Sequence, residues 1–120
     1  MTDTTTPAAH ATAAAEAVRA LNHATLGPGR DGWEYPSDAY DVIGGLDRMA
    51  GGLPQALDQV WALVGGLAAD GYVRSDRGDA SIDLADARTA IEDAKTALEM
   101  LSNALNRAHS ATAPLSSTND

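Results

Sequence analysis

A chain of 120 residues has the length of one ordinary domain, and its apolar share is drawn from Ala, Leu and Val with no Phe and no Cys. The missing cysteines exclude disulfides, thiol chemistry and thiolate metal sites. A net charge of −9, with seven arginines scattered singly and Lys95 as the one lysine, excludes the basic cluster that nucleic acid or an anionic membrane requires, while permitting a basic partner.

In chain order, residues 1–6 are polar and Thr-rich and read as a disordered N-terminus ahead of a helical domain over 7–110. No basic n-region and no long apolar run follows Met1, so the expectation is a cytoplasmic chain without a secretory signal or membrane span. Thr6-Pro7 has the chemistry of a helix entry, hydroxyl cap first and proline at the first helical position. The first helix is expected over Ala8 to about Leu26, with a thin apolar face of Ala11, Ala14, Val18, Leu21 and Thr25. A helix so poor in large side chains needs something to pack on, and the expected support is the groove between the two longer helices.

Gly27-Pro28-Gly29-Arg30-Asp31-Gly32 ends that helix, and Trp33-Glu34-Tyr35-Pro36 continues the loop. Ser37 is the expected cap of a long central rod running to Asp70-Gly71. Its apolar residues fall at Ala39, Ile43, Leu46, Ala50, Leu53, Leu57, Val60, Val64 and Leu67, alternating four and three, which is a heptad a/d seam. Val42, Met49, Ala56 and Leu63 add a third apolar column at g, while Tyr40 and Trp61 flank the seam at e. Pro54 after Gly51-Gly52 predicts a break or kink in the rod at 51–54.

Residues 72–78 are turn-like, Asp79 or Ser81 can cap, and a last helix is expected to about His109. Its seam is Leu84, Ala87, Ile91, Ala94, Leu98, Leu101, Leu105 and Ala108, with Ala90, Ala97 and Ala104 at g and flanking i,i+4 pairs Arg88-Glu92 and Lys95-Glu99. Residues 111–120 read as a disordered tail. Two long helices joined by a short turn run antiparallel, so the predicted fold is all-α: an antiparallel three-helix bundle, or four helices if the kink is sharp, with coiled-coil-like heptad packing.

The glycine pairs Gly44-Gly45 and Gly65-Gly66 are candidate interaction residues. At b and c they face away from the a/d seam, and each costs about 0.8–1 kcal/mol against Ala in a helix interior. Either another helix approaches this smooth stripe closely, helix one or a second copy of the chain, or the helix simply tolerates them. Trp33, Tyr35, Trp61 and Tyr72 are the aromatic candidates. Trp33 and Tyr35 either plug the end of the core or anchor a partner, and Trp61 reads as half-buried core. His10 and His23 lie thirteen apart, and His109 stands alone near a helix end. With no His-Glu-x-x-His and no EF-hand loop, no catalytic residue, cofactor or metal ligand is expected. Asp76, Asp79, Asp83 and Asp86 cluster across the last turn, but helix-cap and solvated-face roles account for them.

The stretches Tyr35-Pro36-Ser37-Asp38-Ala39-Tyr40 and Leu53-Pro54-Gln55-Ala56-Leu57 resemble a group of short, uncharacterised helical proteins of high-GC actinobacteria. The likeness covers about residues 17 to 67, fits the preference for Arg over Lys, and implies no activity, since none is attached to that group. The chain is also similar to the WXG100-type substrates of type VII secretion, which are small, acidic, Ala-rich helical hairpins without cysteine. Tyr72-x-x-x-Asp76 has the spacing of their export signal, but here it lies inside the turn, and the turn has no Trp-x-Gly. The leading expectation is a non-enzymatic helical interaction or adaptor protein, self-associating as a homodimer or meeting another protein. The alternatives are a secreted type VII-like substrate, then a small hydrolase.

Overall fold

The computed structural model describes residues 5–118, so the expectations for residues 1–4 and 119–120 lie outside the described residues. Three helices follow one another: α1 (Pro7–Ala24), α2 (Pro36–Ala69) and α3 (Ala80–Thr112). Among the described residues there is no strand, only two isolated bridges that close turns, Arg30 with Trp33 and Ser75 with Gly78. The all-helical class and the helix-on-helix packing agree with the sequence.

Local chemistry sets each boundary. Thr6 Oγ1 accepts from Ala9 N at 3.1 Å and Pro7 opens α1. At its far end Thr25 Oγ1 donates to the Leu21 and Asn22 carbonyls, and Arg30 Nη1 donates to His23 O at 3.3 Å. The start of α2 differs from expectation: Pro36, not the residue after Ser37, is the first helical residue, and Tyr35 stands at the cap. Asp38 makes that start possible, because its Oδ2 accepts from Glu34 N at 2.8 Å and Tyr35 N at 3.0 Å. These two N–H donors hold its carboxyl below the usual range.

The break expected at 51–54 does not occur. α2 runs unbroken through Pro54 for 34 residues, about 50 Å at 1.5 Å per residue, which removes the four-helix variant. Pro54 points toward α3, in the half-buried e column, and the packing of both flanking turns holds the helix through it. α2 ends with Gly71 at φ +80, its N–H bonded to Ala68 O and that of Tyr72 to Leu67 O. This pair of bonds is a Schellman closure, and it needs the left-handed conformation that glycine tolerates.

The link to α3 is held by Asp83, which accepts from the Ser75 hydroxyl and from the Arg77 guanidinium. Asp79 caps α3 by accepting from Ser81 N at 2.9 Å. α3 then continues three residues beyond its expected end. Leu115, Ser116 and Ser117 lie beside Tyr35, Pro36 and Ser37 at the start of α2.

α2 and α3 pack along each other in antiparallel sense, since Tyr40 stacks on His109 near one end and Asp58 meets Lys95 at 2.7 Å further along. Lys95 therefore turns to Asp58 across the pair and to Glu92 on its own helix, not to Glu99. α1 behaves otherwise than expected. None of its Cα atoms comes within 8 Å of α2 or α3, and none of its residues is buried. Its face of alanines offers too little area to hold it in the groove. The result is an extended molecule, 64 × 39 × 24 Å, with a radius of gyration of 19.6 Å where a compact chain of this length has about 14 Å.

Candidate interaction surface

A four-three apolar repeat says that one side of a helix is buried, but the a, d, e and g columns of α2 are all largely apolar and span some 160° of its circumference. One neighbour cannot cover so wide an arc. In the structure the a and e columns face α3. Ala50 is fully buried, and Ile43, Leu57, Val64, Tyr40, Pro54 and Trp61 are half-buried. α3 answers with its own a and e columns, Leu84, Ile91, Leu98 and Leu105 with Lys95, Ser102 and His109.

The a/d seam expected to close the pair is thus split: Ala39, Val42 and Leu46 stay half-buried, as do Ala94 and Ala108 of α3, but from Met49 onward the d and g columns of α2 are exposed. Val60 is 52% and Leu63 64% exposed, and Met49, Leu53 and Leu67 are exposed as well. Together with Val42, Leu46 and Ala56 they form a second unbroken four-three stripe along α2. The outward stripe of α3 is made of small residues: Ala87, Ala90, Ala97 and Ala104 are exposed, and Leu101 is its one large member.

The two stripes come out on one side. The opposite groove is lined by b and e positions of both helices, Gly51 and Pro54 against Glu99 and Ser102, with Glu92 and Lys95 further along. In an antiparallel pair the same flank of each helix turns to the same side, so the d and g columns of both share the other face. From Val42 to Leu67, and from Ala87 to Ala108, those columns hold no ionisable side chain.

The glycines expected as one stripe have different surroundings. Gly44 is buried, and a Cβ there would stand 2.9 Å from His109 Nε2, so its smoothness serves α3 and not another molecule. At Gly65 an added Cβ would meet the Trp61 indole at ordinary contact distance, 3.7 Å from its Nε1. Gly45 has only the Arg48 guanidinium within 4 Å, and Gly66 has nothing. Those two border the g column on the rim of the exposed face.

The aromatic candidates do not converge. Trp33 is half-buried in the Arg30 turn, its N–H bonded to Arg30 O at 2.8 Å. Tyr35, 52% exposed, stands between two shallow hollows: one of ≈ 410 Å³ shared with Leu115–Ser117, and one of ≈ 210 Å³ shared with Pro28 and Trp33. Trp61 is half-buried on α2 with its indole beside Gly65, and Tyr72 is 77% exposed in the turn.

The acidic cluster resolves into separate local roles. Ser75 and then Arg77 hold the Asp83 carboxyl below its ordinary range, and Ser81 does the same for Asp79. No group of three or more His, Asp or Glu among the described residues is placed to hold a metal ion, and no described helix is long and apolar enough to cross a membrane. Compared with protein-family models, curated proteins and solved structures, the chain matches none.

Proposed function

We propose that this chain is a non-enzymatic helical interaction protein that self-associates and acts as an adaptor or regulatory partner. The observation that carries the reading is the uncovered face of the helix pair. α2 and α3 bury only Gly44 and Ala50 between them, while a row of Val, Leu and Met side chains stands in water. A single chain gains little from such an arrangement, because helices of this kind draw their stability from burying an apolar face. Exposed apolar patches of this extent mark interaction surfaces on folded proteins.

The chain exposes 9047 Å², against about 6,100 Å² for a compact monomer of its mass. Part of that excess is α1, which stands free. Exposed apolar side chains of the helix pair add to it. The net charge of −9 speaks against nucleic acid as the partner, and the face itself is uncharged. Sedimentation over a range of concentrations, with affinity capture from the native cell, tests the reading. A monodisperse monomer that captures nothing would overturn it.

A further inference from the structure

We propose that the exposed d/g face of the α2–α3 pair binds the same face of a second copy, about a two-fold axis parallel to the helices, to make an antiparallel four-helix core. This rests on the self-association reading and adds the surface, the symmetry and the register. A two-fold axis of this direction lays α2 of one copy over α3 of the other, with every neighbouring pair of helices antiparallel. The alternative two-fold arrangement, with the axis across the helices, lays α2 on α2 and sets large side chains against large ones.

The side chains favour the first arrangement. The Tyr40–His109 stack and the Asp58–Lys95 pair fix which residues of the two helices lie level. Leu53 is level with Ala97, Val60 with Ala90 and Leu63 with Ala87. Turning one copy about the helix direction keeps those levels, so Leu46, Leu53, Val60 and Leu63 arrive over Ala104, Ala97, Ala90 and Ala87 of the other chain, while Met49 meets Leu101. Alternation of large and small across facing positions is the condition for layers to interdigitate, and a two-fold axis satisfies it twice over.

The area is sufficient. From Val42 to Leu67 the stripe is about 38 Å long, and two helices side by side are about 20 Å wide, so each copy contributes roughly 800 Å² and the pair roughly 1,600 Å². That is the size of a stable, specific interface, and it is less than the exposed surplus of one chain. α1 does not compete for the face, as it approaches neither helix. Its 18 residues reach only about 27 Å.

The test is sedimentation equilibrium of the full chain with two single variants, each checked by far-UV circular dichroism. Leu53→Glu puts a carboxylate into the centre of the interface twice over. Ala97→Trp leaves the single chain undisturbed, because Ala97 is exposed there, but overfills the position facing Leu53. A dimer is expected for the unaltered chain, and each variant should weaken it by about a hundredfold or more, the scale of losing an interface hot spot. Helix content of the pair should persist.

Mixing Leu53→Cys chains with Ala97→Cys chains under oxidation should link unlike chains and leave each variant alone unlinked. Dimers that survive both substitutions, or linkage within a single variant, would overturn this face or this axis while leaving self-association standing. A monomer at every concentration would overturn both, and a monomer that Leu53→Glu destabilises would assign the face to α1.

Discussion

Gly44 and Gly45 are neighbours in one helix, yet the structure expects opposite outcomes from the same substitution. Replacing either by Ala in a helix interior stabilises by about 1 kcal/mol through the backbone alone. At Gly45 the added methyl meets only the far end of Arg48, at 3.9 Å, so the gain is realised. At Gly44 the methyl would stand 2.9 Å from His109 Nε2 and 3.4 Å from its Cδ2.

The imidazole must then slide away along the Tyr40 ring, on which it stacks with centroids 3.9 Å apart. Losing that stack forfeits about 0.5–1.5 kcal/mol, and overfilling a packed contact costs about 1–3 kcal/mol. Gly44→Ala should therefore fall below Gly45→Ala by about 1.5–4.5 kcal/mol, at roughly 3–6 °C in Tm per kcal/mol for a chain of this size. Thermal melts followed by circular dichroism at one fixed protein concentration read the difference. In a His109→Ala background the obstruction is gone, and Gly44→Ala should recover its full gain. Equal increases at both glycines with His109 intact would show that the ring does not cover Gly44, and the α2–α3 register would be wrong.

Leu57 and Leu98 are half-buried in the helix pair, so Leu98→Ala should lower stability by about 2 kcal/mol, near the low end for buried leucine, and an unchanged denaturation midpoint would refute the contact. Asp38, Asp79 and Asp83 have lowered carboxyl pKa values in the fold, so their contribution is present above the unfolded value of about 4 and is lost as pH falls through the folded values. Acid unfolding should thus steepen below about pH 4, and Asp38→Asn should flatten it. Because each copy carries −9 while the proposed interface carries no charge, added salt should tighten the dimer, whereas weakening by salt would point to an ionic interface.

The all-helical class, the antiparallel pair and most boundaries were legible in the sequence, because Thr6-Pro7, Asp70-Gly71 and Asp79 are local signals that act on the adjacent backbone. The orientation of α2 was not. Spacing by four and three is satisfied equally by the a/d, a/e and d/g pairs of columns, and only the partner helix decides which of them turns inward. The clue lay in Tyr40 and Trp61 at e together with an apolar g column, an arc too wide for one neighbour. Pro54 misled because the rule for proline concerns an isolated helix, whereas here the flanking turns are held against α3. Gly44 could not be told from Gly45 without His109, which lies 65 positions away in the chain.

The isolation of α1 bears on how the molecule unfolds. With no Cα within 8 Å of the other helices, its 18 residues share no cooperative unit with them, and a helix of that length is marginal by itself in water. Its amide protons should exchange with solvent well before those of the helix pair, and its melting should be broad and non-cooperative beneath the sharper transition of α2 and α3. A calorimetric trace of the whole chain is then a superposition of two events, and an enthalpy fitted to it as one two-state step understates the cooperativity of the pair.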